Sequence, residues 1–452
     1  MEEFDLIVIG AGSGLDVASA YANQGNQVAV IEPGPLGGTC LNRGCIPSKM
    51  LIHHADIVQE IKGSEEFHIQ SEIDNIDFEE IIEEVNADVH GDAENIAKGL
   101  EESEHHTLYR SEANFVSEKI LEVDDEQITS EKIVVSAGSR PMIPPVEGLE
   151  EVDYWTSKEA LEPETQPDEL VIIGGGYISM ELAHFYDAMG TEVTILEMEK
   201  LLLNLEDYEI SEKITEMAEE RYNVETNTKV TSVEQNGERK TVHTEDGSFE
   251  GDEVLVATGR VPNTDKLQVE EAGIEIDEQG FVKTDEHMKT NIEGVYALGD
   301  IADNWMFKHS ANEEAGIVYR NIMSGDQYKL DYNQMPHAVF TSPQIAGIGK
   351  TEQAIEQEMD YGVDYVTAKY DYSDTGMGSA LKEEGGFVKV IADAESGVIL
   401  GCHIIGPDAS QLIHEVLVAM RSGTGTVEDI QNTIHIHPAL NEVVQRAFDQ
   451  IR

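Results

Sequence analysis

A strand, a glycine turn, a helix, a second strand and a closing acid occur twice in this chain, and few folds accept that order. Residues 4–9, Phe-Asp-Leu-Ile-Val-Ile, are apolar enough for a buried parallel strand. They run into Gly10-Ala-Gly12-Ser-Gly14-Leu15 and a helix to about Asn23, and a second strand over Gln27–Ile31 ends at Glu32. Such glycines permit a tight turn and close backbone approach, the helix N-terminus attracts a diphosphate, and the acid accepts from ribose hydroxyls. Leu15 stands at the pattern's third glycine, so helix and strand are expected to pack slightly differently there. The theme returns as Leu170–Ile173, then Gly174-Gly-Gly176-Tyr177-Ile178-Ser-Met-Glu181, a helix to about Met189, and a strand Val193–Leu196 closed by Glu197. Two such units imply two nucleotides. Glu197 favours an NAD ribose and repels the extra phosphate of NADP, although nearby Lys200 leaves NADP open.

Between the units lies Gly37-Gly38-Thr39-Cys40-Leu-Asn-Arg-Gly-Cys45-Ile-Pro47-Ser-Lys49, holding two of the chain's three cysteines. If the turn opens a helix, both cysteines sit in its first turns, where free N–H groups and the positive dipole end favour thiolates. Thiols of that kind suit disulfide exchange. Half of a zinc site and two small buried hydrophobes are the alternatives, but zinc needs four ligands and no other cysteine is near. No metal site is expected. Adjacent pairs His53-His54 and His105-His106 point to different sides and do not suggest chelation.

Elsewhere the pattern is structural or returns to the nucleotides. Phe78, Ile81, Ile82, Val85 and Val89 have helical spacing, with acids between. Short strands over Glu112–Val135 lead to a turn at Ala137-Gly138, and Pro144-Pro145 reads as a linker. A hairpin at Asp246-Gly247 precedes a second returning turn at Gly259. Residues 294–300 form a buried strand ending in Gly299-Asp300. Past residue 331 the glycine fingerprints stop: residues 386–405 read as a hairpin, Gln411–Met420 as a helix, and Cys402 as a core residue. The closing His435-Ile-His437-Pro438-Ala-Leu-Asn-Glu442 offers a base with an orienting carboxylate if Pro438 turns the chain. A metal pair or two incidental surface histidines are the other readings.

Charge bounds the partners. With 29 basic and 90 acidic residues the net charge is −61, spread through every segment. Such self-repulsion is relieved only by strong screening, so a halophilic protein is expected, with neither nucleic acid nor an anionic membrane as partner. No apolar run nears the ~20 residues of a spanning helix, no signal peptide is expected before Phe4, and three cysteines suit a reducing cytoplasm.

Taken together, these motifs resemble the pyridine nucleotide–disulfide oxidoreductases, which include dihydrolipoyl dehydrogenase, glutathione reductase, mycothione reductase and mercuric reductase. The resemblance implies an α/β protein with two Rossmann-like domains, for FAD and NAD(P), and a C-terminal α+β dimerisation domain. The implied boundaries are 1–147 for the first part of the FAD domain, 148–260 for NAD(P), 261–330 for a central return and 331–452 for the interface. By the same resemblance, Cys45 faces the flavin, Cys40 exchanges with substrate, and Lys49 and Glu181 form a charge pair beside the flavin. His437, held by Glu442, serves Cys40 of the other subunit of a homodimer. Implied FAD contacts are Gly10, Gly12, Gly14, Glu32, Gly38, Thr39, Lys49, Ala113, Ala137, Gly138, Gly299, Asp300, Met306, Phe307 and His309. Implied NAD(P) contacts are Gly174, Gly176, Tyr177, Ile178, Glu181, Glu197 and Gly259, with Tyr177 gating the nicotinamide side.

Glu197 and residues 306–315 point to an NAD-linked dihydrolipoyl dehydrogenase, with lipoyl domains of a 2-oxoacid dehydrogenase complex as partners. The His-Pro-Ala-Leu-Asn-Glu tail, Leu15 and the Lys308-His309 pair are similar instead to mycothione reductase and bis-γ-glutamylcystine reductases. Mercuric reductase fits less well, because the cysteine pair it carries near its C-terminus is absent here. A flavoprotein that only docks within an assembly needs none of Cys40, Cys45, His437 and Glu442.

Overall fold

The computed structural model describes residues 1–302, 305–325 and 328–451, and in it the first glycine unit forms a five-stranded parallel sheet. Its order is Val295–Ala297, Ile133–Val135, Leu6–Ile9, Val28–Ile31 and His106–Tyr109. Leu6–Ile9 and Val28–Ile31 are buried at every position, as unbroken aliphatic runs in a parallel sheet must be. The expected strand over 4–9 is split. Glu2–Phe4 pairs with Glu126–Ser130 in a separate four-stranded sheet, and Asp5, which accepts from the Gln27 N–H at 2.8 Å, marks the break.

The second unit repeats the theme with four parallel strands ordered Asn223–Glu225, Glu192–Leu196, Glu169–Ile173 and Glu253–Val256. Short antiparallel strands Ser139–Pro141 and Arg260–Pro262 join the two units where the chain leaves and re-enters the first. The C-terminal unit is a five-stranded antiparallel sheet, with the expected hairpin as Phe387–Asp393 against Ile399–Ile405. Helices Ala409–Ser422 and Glu442–Asp449 cover it, and Cys402 is fully buried beneath them. No helix among the described residues is long and apolar enough to cross a membrane, and no cluster of three or more His, Cys, Asp or Glu is arranged for a metal.

One helix runs further than its sequence pattern suggested. Phe78–Glu101 spans 24 residues from an Asp77 cap, because Ala93 and Leu100 continue the buried stripe past Val89. It packs beside Cys45–Gly63, whose Leu51, Ala55 and Val58 share one core with Met180, Ala183 and Phe185 of helix Tyr177–Met189. The helix that begins at Cys45 is therefore wedged between the two nucleotide units. Asp56 meets the buried His184 ring at 2.8 Å and fixes that wedge in place.

The C-terminal unit meets the second unit through a shared apolar core, with Val339, Ile345, Phe387 and Ile405 beside Leu203 and Ile210, and through charge. Lys389, 2% exposed, reaches Asp207 at 2.8 Å, Glu209 at 2.9 Å and Glu352 at 2.6 Å. These carboxylates hold its ammonium well above the usual lysine range despite burial. Lys389→Met leaves the fully buried Asp207 unpaired and should cost roughly 3 kcal/mol of unfolding free energy, measured by denaturant unfolding in high KCl. A loss below about 1 kcal/mol would show that the cluster contributes little to docking.

Candidate active site

The two cysteines lie on consecutive helices, not on the single helix expected from the sequence. Gly38–Arg43 carries Cys40, Gly44 breaks the chain at φ −150° and ψ −119°, and Cys45 opens the next helix. A side chain at Gly44 would come within 2.9 Å of the Thr39 carbonyl, so the break requires glycine. Pro47 falls in the first turn of the second helix, where its missing N–H has no helical acceptor to lose. Cys45 thus sits at a helix N-terminus, and Cys40 lies across the break from it.

Both cysteines are half-buried thiols, the reduced form of the pair. The Cys40 S–H donates to the Cys45 sulfur, and this bond, joined by the charge of Lys49, draws Cys45 down to about 7. The same bond, with burial, pushes Cys40 far up. The protons belong to the pair, but the direction is clear: Cys45 holds the thiolate. Alkylation of the reduced pair should therefore accelerate as pH rises through about 7, and Lys49→Met should move that inflection upward. A single inflection at the ordinary thiol value, unmoved by the substitution, would refute the assignment.

Lys49 is steered by an ion pair 2.6 Å long to Glu181, itself 3% exposed. The other Glu181 oxygen accepts the Phe340 N–H at 3.0 Å, and the Lys49 ammonium lies 4.7 Å from the Phe340 ring centre. Phe340 belongs to the C-terminal segment and was not singled out from the sequence. Cysteine helix, second-unit helix and C-terminal segment all meet here.

The glycine turn, the two cysteine helices and the second-unit helix line a cavity of about 620 Å³. Of the expected residues, Gly10, Gly12, Glu32, Gly38, Thr39, Cys40, Cys45, Lys49, Ala113, Ala137 and Gly138 line it. So do Tyr177, Ile178, Glu181, Gly299, Asp300, Met306 and Phe307. Gly14 does not: it takes the close-packing role expected of the third glycine, since a Cβ there would lie 2.8 Å from Val8 and 2.1 Å from the Ser136 hydroxyl. His309 is also outside the lining, with Nε2 2.9 Å from the Pro336 carbonyl oxygen. Gly174, Gly176, Glu197 and Gly259 stand apart in the second unit, with Tyr177, Ile178 and Glu181 forming the wall between.

Each acid is held in place. Glu32 accepts from the Ala11 and Gly34 N–H groups, both at 2.9 Å, and Asp300 from the Ser139 hydroxyl at 2.7 Å. Arg260 donates to that hydroxyl at 2.7 Å. Fully buried Glu314 accepts from the Gly299 N–H at 2.6 Å, Tyr332 at 2.8 Å and Ser310 at 2.9 Å, and burial raises its pKa. Sequence reasoning passed over Ser139, Arg260 and Glu314, although each adjoins or lies within a motif it had identified.

His437 does not line this cavity. It is carried by the C-terminal unit, 77% exposed, with Nδ1 3.0 and 3.1 Å from the two Glu442 oxygens. The imidazole bonds to Glu442 and holds that carboxyl below its usual range. The rest of the ring is open to solvent.

Residues 4–315 match the pyridine nucleotide-disulphide oxidoreductase model, and residues 335–448 match the dimerisation domain of the same group. The chain belongs to this family. Pyridine nucleotide-disulphide oxidoreductases of this kind bind FAD and use NAD(P)H, and the dimerisation domain supports a homodimer. A mycothione reductase from Mycobacterium tuberculosis is 36% identical over the whole of both chains. A dihydrolipoyl dehydrogenase from Bacillus subtilis is also 36% identical, over 99% of this chain and 96% of that protein. The structure of an HOCl-induced flavoprotein disulfide reductase from Escherichia coli, solved as a Cu(II) complex, superposes with a TM-score of 0.90 at 26% identity, covering 100% of both chains.

The cavity fits the family's flavin cofactor. Gly10 has φ +97°, and a Cβ there would lie 2.3 Å from the Ser136 carbonyl oxygen; one on Gly38 would lie 2.6 Å from the Gly12 Cα. Bare backbone is therefore required where a diphosphate must approach a helix N-terminus. The charge pair and the two thiols lie along the same wall.

Proposed function

We propose that the chain passes electrons between NAD(H) and a small dithiol through Cys40 and Cys45, as an NAD-linked dihydrolipoyl dehydrogenase. Glu197 carries the nucleotide choice. Its carboxylate is fixed by the Gly175 N–H at 2.5 Å and the Glu199 N–H at 2.7 Å, at the end of the second strand of the second unit. Lys200, the one nearby cation that argued for NADP, instead donates to the Tyr208 hydroxyl at 3.0 Å. An anchored acid that forms no ion pair among the described residues suits the two free hydroxyls of an NAD ribose.

When bound, FAD supplies two-electron carriage between nicotinamide and disulfide. Gly10, Gly12, Gly38, Glu32 and Asp300 would hold it, with Lys49 and Glu181 beside its reactive ring. In the oxidised pair, a substrate thiolate attacks the Cys40 sulfur, breaks the Cys40–Cys45 bond and releases Cys45 as a thiolate. Lys49 and the helix N-terminus steady that charge. The second substrate thiol then displaces Cys40, leaving an oxidised substrate and a reduced pair. Protons leave the substrate thiols through His437, which Glu442 orients. His437 is exposed and does not line its own cavity, which supports a role at Cys40 of the partner subunit, with the site complete only in the homodimer.

A second reading, reduction of a small-thiol disulfide such as mycothione or bis-γ-glutamylcystine, is favoured by the full-length 36% identity to a mycothione reductase. The nucleotide choice is tested directly. Wild type should use NADH at least about tenfold better than NADPH by kcat/KM, and Glu197→Ala should erase most of that preference. Equal or better use of NADPH by wild type would overturn the NAD assignment.

A further inference from the structure

Cations are scarce in this chain, at 29 against 90 acids, and Lys308 occupies a place where a cation is locally unfavourable. It is the first residue of helix Lys308–Ser324, where unpaired N–H groups and the macrodipole already make the surroundings positive. The first turn of that helix carries no acid. Among the described residues the ammonium has no carboxylate partner: it donates to the Ser13 hydroxyl at 2.8 Å and to the Asn312 side-chain oxygen at 2.6 Å. An ammonium has three N–H donors, so one remains.

Ser13 gives this cation its direction. It is the cap residue of helix Gly14–Ala22, but its hydroxyl does not cap that helix. The hydroxyl instead accepts from Lys308, so the lysine is tied to the glycine turn itself. Helices Gly14–Ala22 and Lys308–Ser324 pack together, and Gly10, Gly12, Ser13 and Lys308 all line the cavity. Two helix N-termini and an ammonium thus meet, and among the described residues the one first-turn acid, Asp16 of Gly14–Ala22, is exposed and forms no ion pair with Lys308. The glycine turn is where a dinucleotide places its diphosphate.

We propose that Lys308 is a ligand to the diphosphate of FAD, a fixed charge added to the backbone cradle of the Gly10–Gly14 turn. The proposal rests on the FAD cofactor of the family and not on the choice of disulfide substrate. It also answers a problem set by the composition. At molar salt, attraction beyond ~3 Å is screened, whereas a contact pair inside a cavity persists. In a −61 chain, a cation in direct contact with a dianionic cofactor keeps its attraction at such salt, where the longer-range field does not act.

The test is flavin binding. Apoprotein of wild type, Lys308→Met and Lys308→Arg is titrated in about 2 M KCl with FAD and, separately, with riboflavin, which has the ring but no phosphate; flavin fluorescence reports binding. Lys308→Met should weaken FAD on the order of ten- to a hundredfold and leave riboflavin unchanged. Lys308→Arg should stay within about threefold of wild type for FAD, because it keeps the charge. Unchanged FAD affinity in Lys308→Met overturns the proposal. Equal losses for FAD and riboflavin, or no rescue by arginine, assign Lys308 to packing and overturn it as well. Wild-type apoprotein that takes up no FAD would refute the cofactor assignment and this proposal with it, a result separable from any failure of the variants.

Discussion

Replacing Cys45 with serine is expected to lower disulfide turnover by at least about 10³-fold while sparing NADH-dependent reduction of an artificial dye. The two halves of that result follow from position. Cys45 is the first residue of a helix, its thiolate favoured by the Cys40 hydrogen bond, by Lys49 and by the helix N-terminus. Serine preserves the volume and the hydrogen bond but cannot form or break a bond to Cys40, so no electron pair reaches the substrate. Glu197, the glycine turns and the Lys49–Glu181 pair are untouched, so nucleotide use and dye reduction continue. Assays with NADH plus a disulfide, and NADH plus a dye, separate the two. Disulfide turnover within tenfold of wild type would mean that electrons reach the substrate by another route.

Raising KCl from about 0.1 M to about 3 M should raise the thermal unfolding midpoint by at least about 10 °C. Screening shortens from ~10 Å to below 3 Å over that range, so repulsion among spread acids largely vanishes while contact pairs persist. Helix Phe78–Glu101 shows the arrangement: Glu79, Glu80, Glu83, Glu84, Asp88, Asp92 and Glu94 are exposed above a buried stripe of Phe78, Ile82, Val85 and Val89. Those acids have few cationic neighbours, and only salt reduces their mutual repulsion. The Lys389 cluster, being buried, should survive the change. A midpoint that is flat or falls with salt would remove the halophilic reading.

Much of the fold was legible because its signals are local. A strand, a glycine turn and a helix are specified by adjacent residues, so both nucleotide units, their closing acids and the hairpin at residues 386–405 could be read in order. The failures lie where the deciding contact is distant or forms only on folding. The break at Gly44 is local but depends on folded geometry, since the Thr39 carbonyl lies against Gly44 only once the turn has formed. Gly14, not Leu15, meets Val8 and Ser136 because of how strand and helix cross. Phe340 reaches Glu181 from the C-terminal segment, and Glu314 holds Gly299 from the next helix. His309 was expected at the cavity from its neighbours in sequence, but the first turn of its helix aims it at Pro336. Most residues that line the cavity were thus readable, whereas the groups that orient them were not.

The most direct test of the central claim is NAD reduction by dihydrolipoamide, followed at about 3 M KCl with the intact flavoprotein. An NAD-linked dithiol oxidoreductase predicts rapid, saturable formation of NADH that is lost in the Cys45→Ser variant. Failure with dihydrolipoamide, together with rapid NADH- or NADPH-driven reduction of bis-γ-glutamylcystine, would contradict it and make the protein a reductase of small-thiol disulfides.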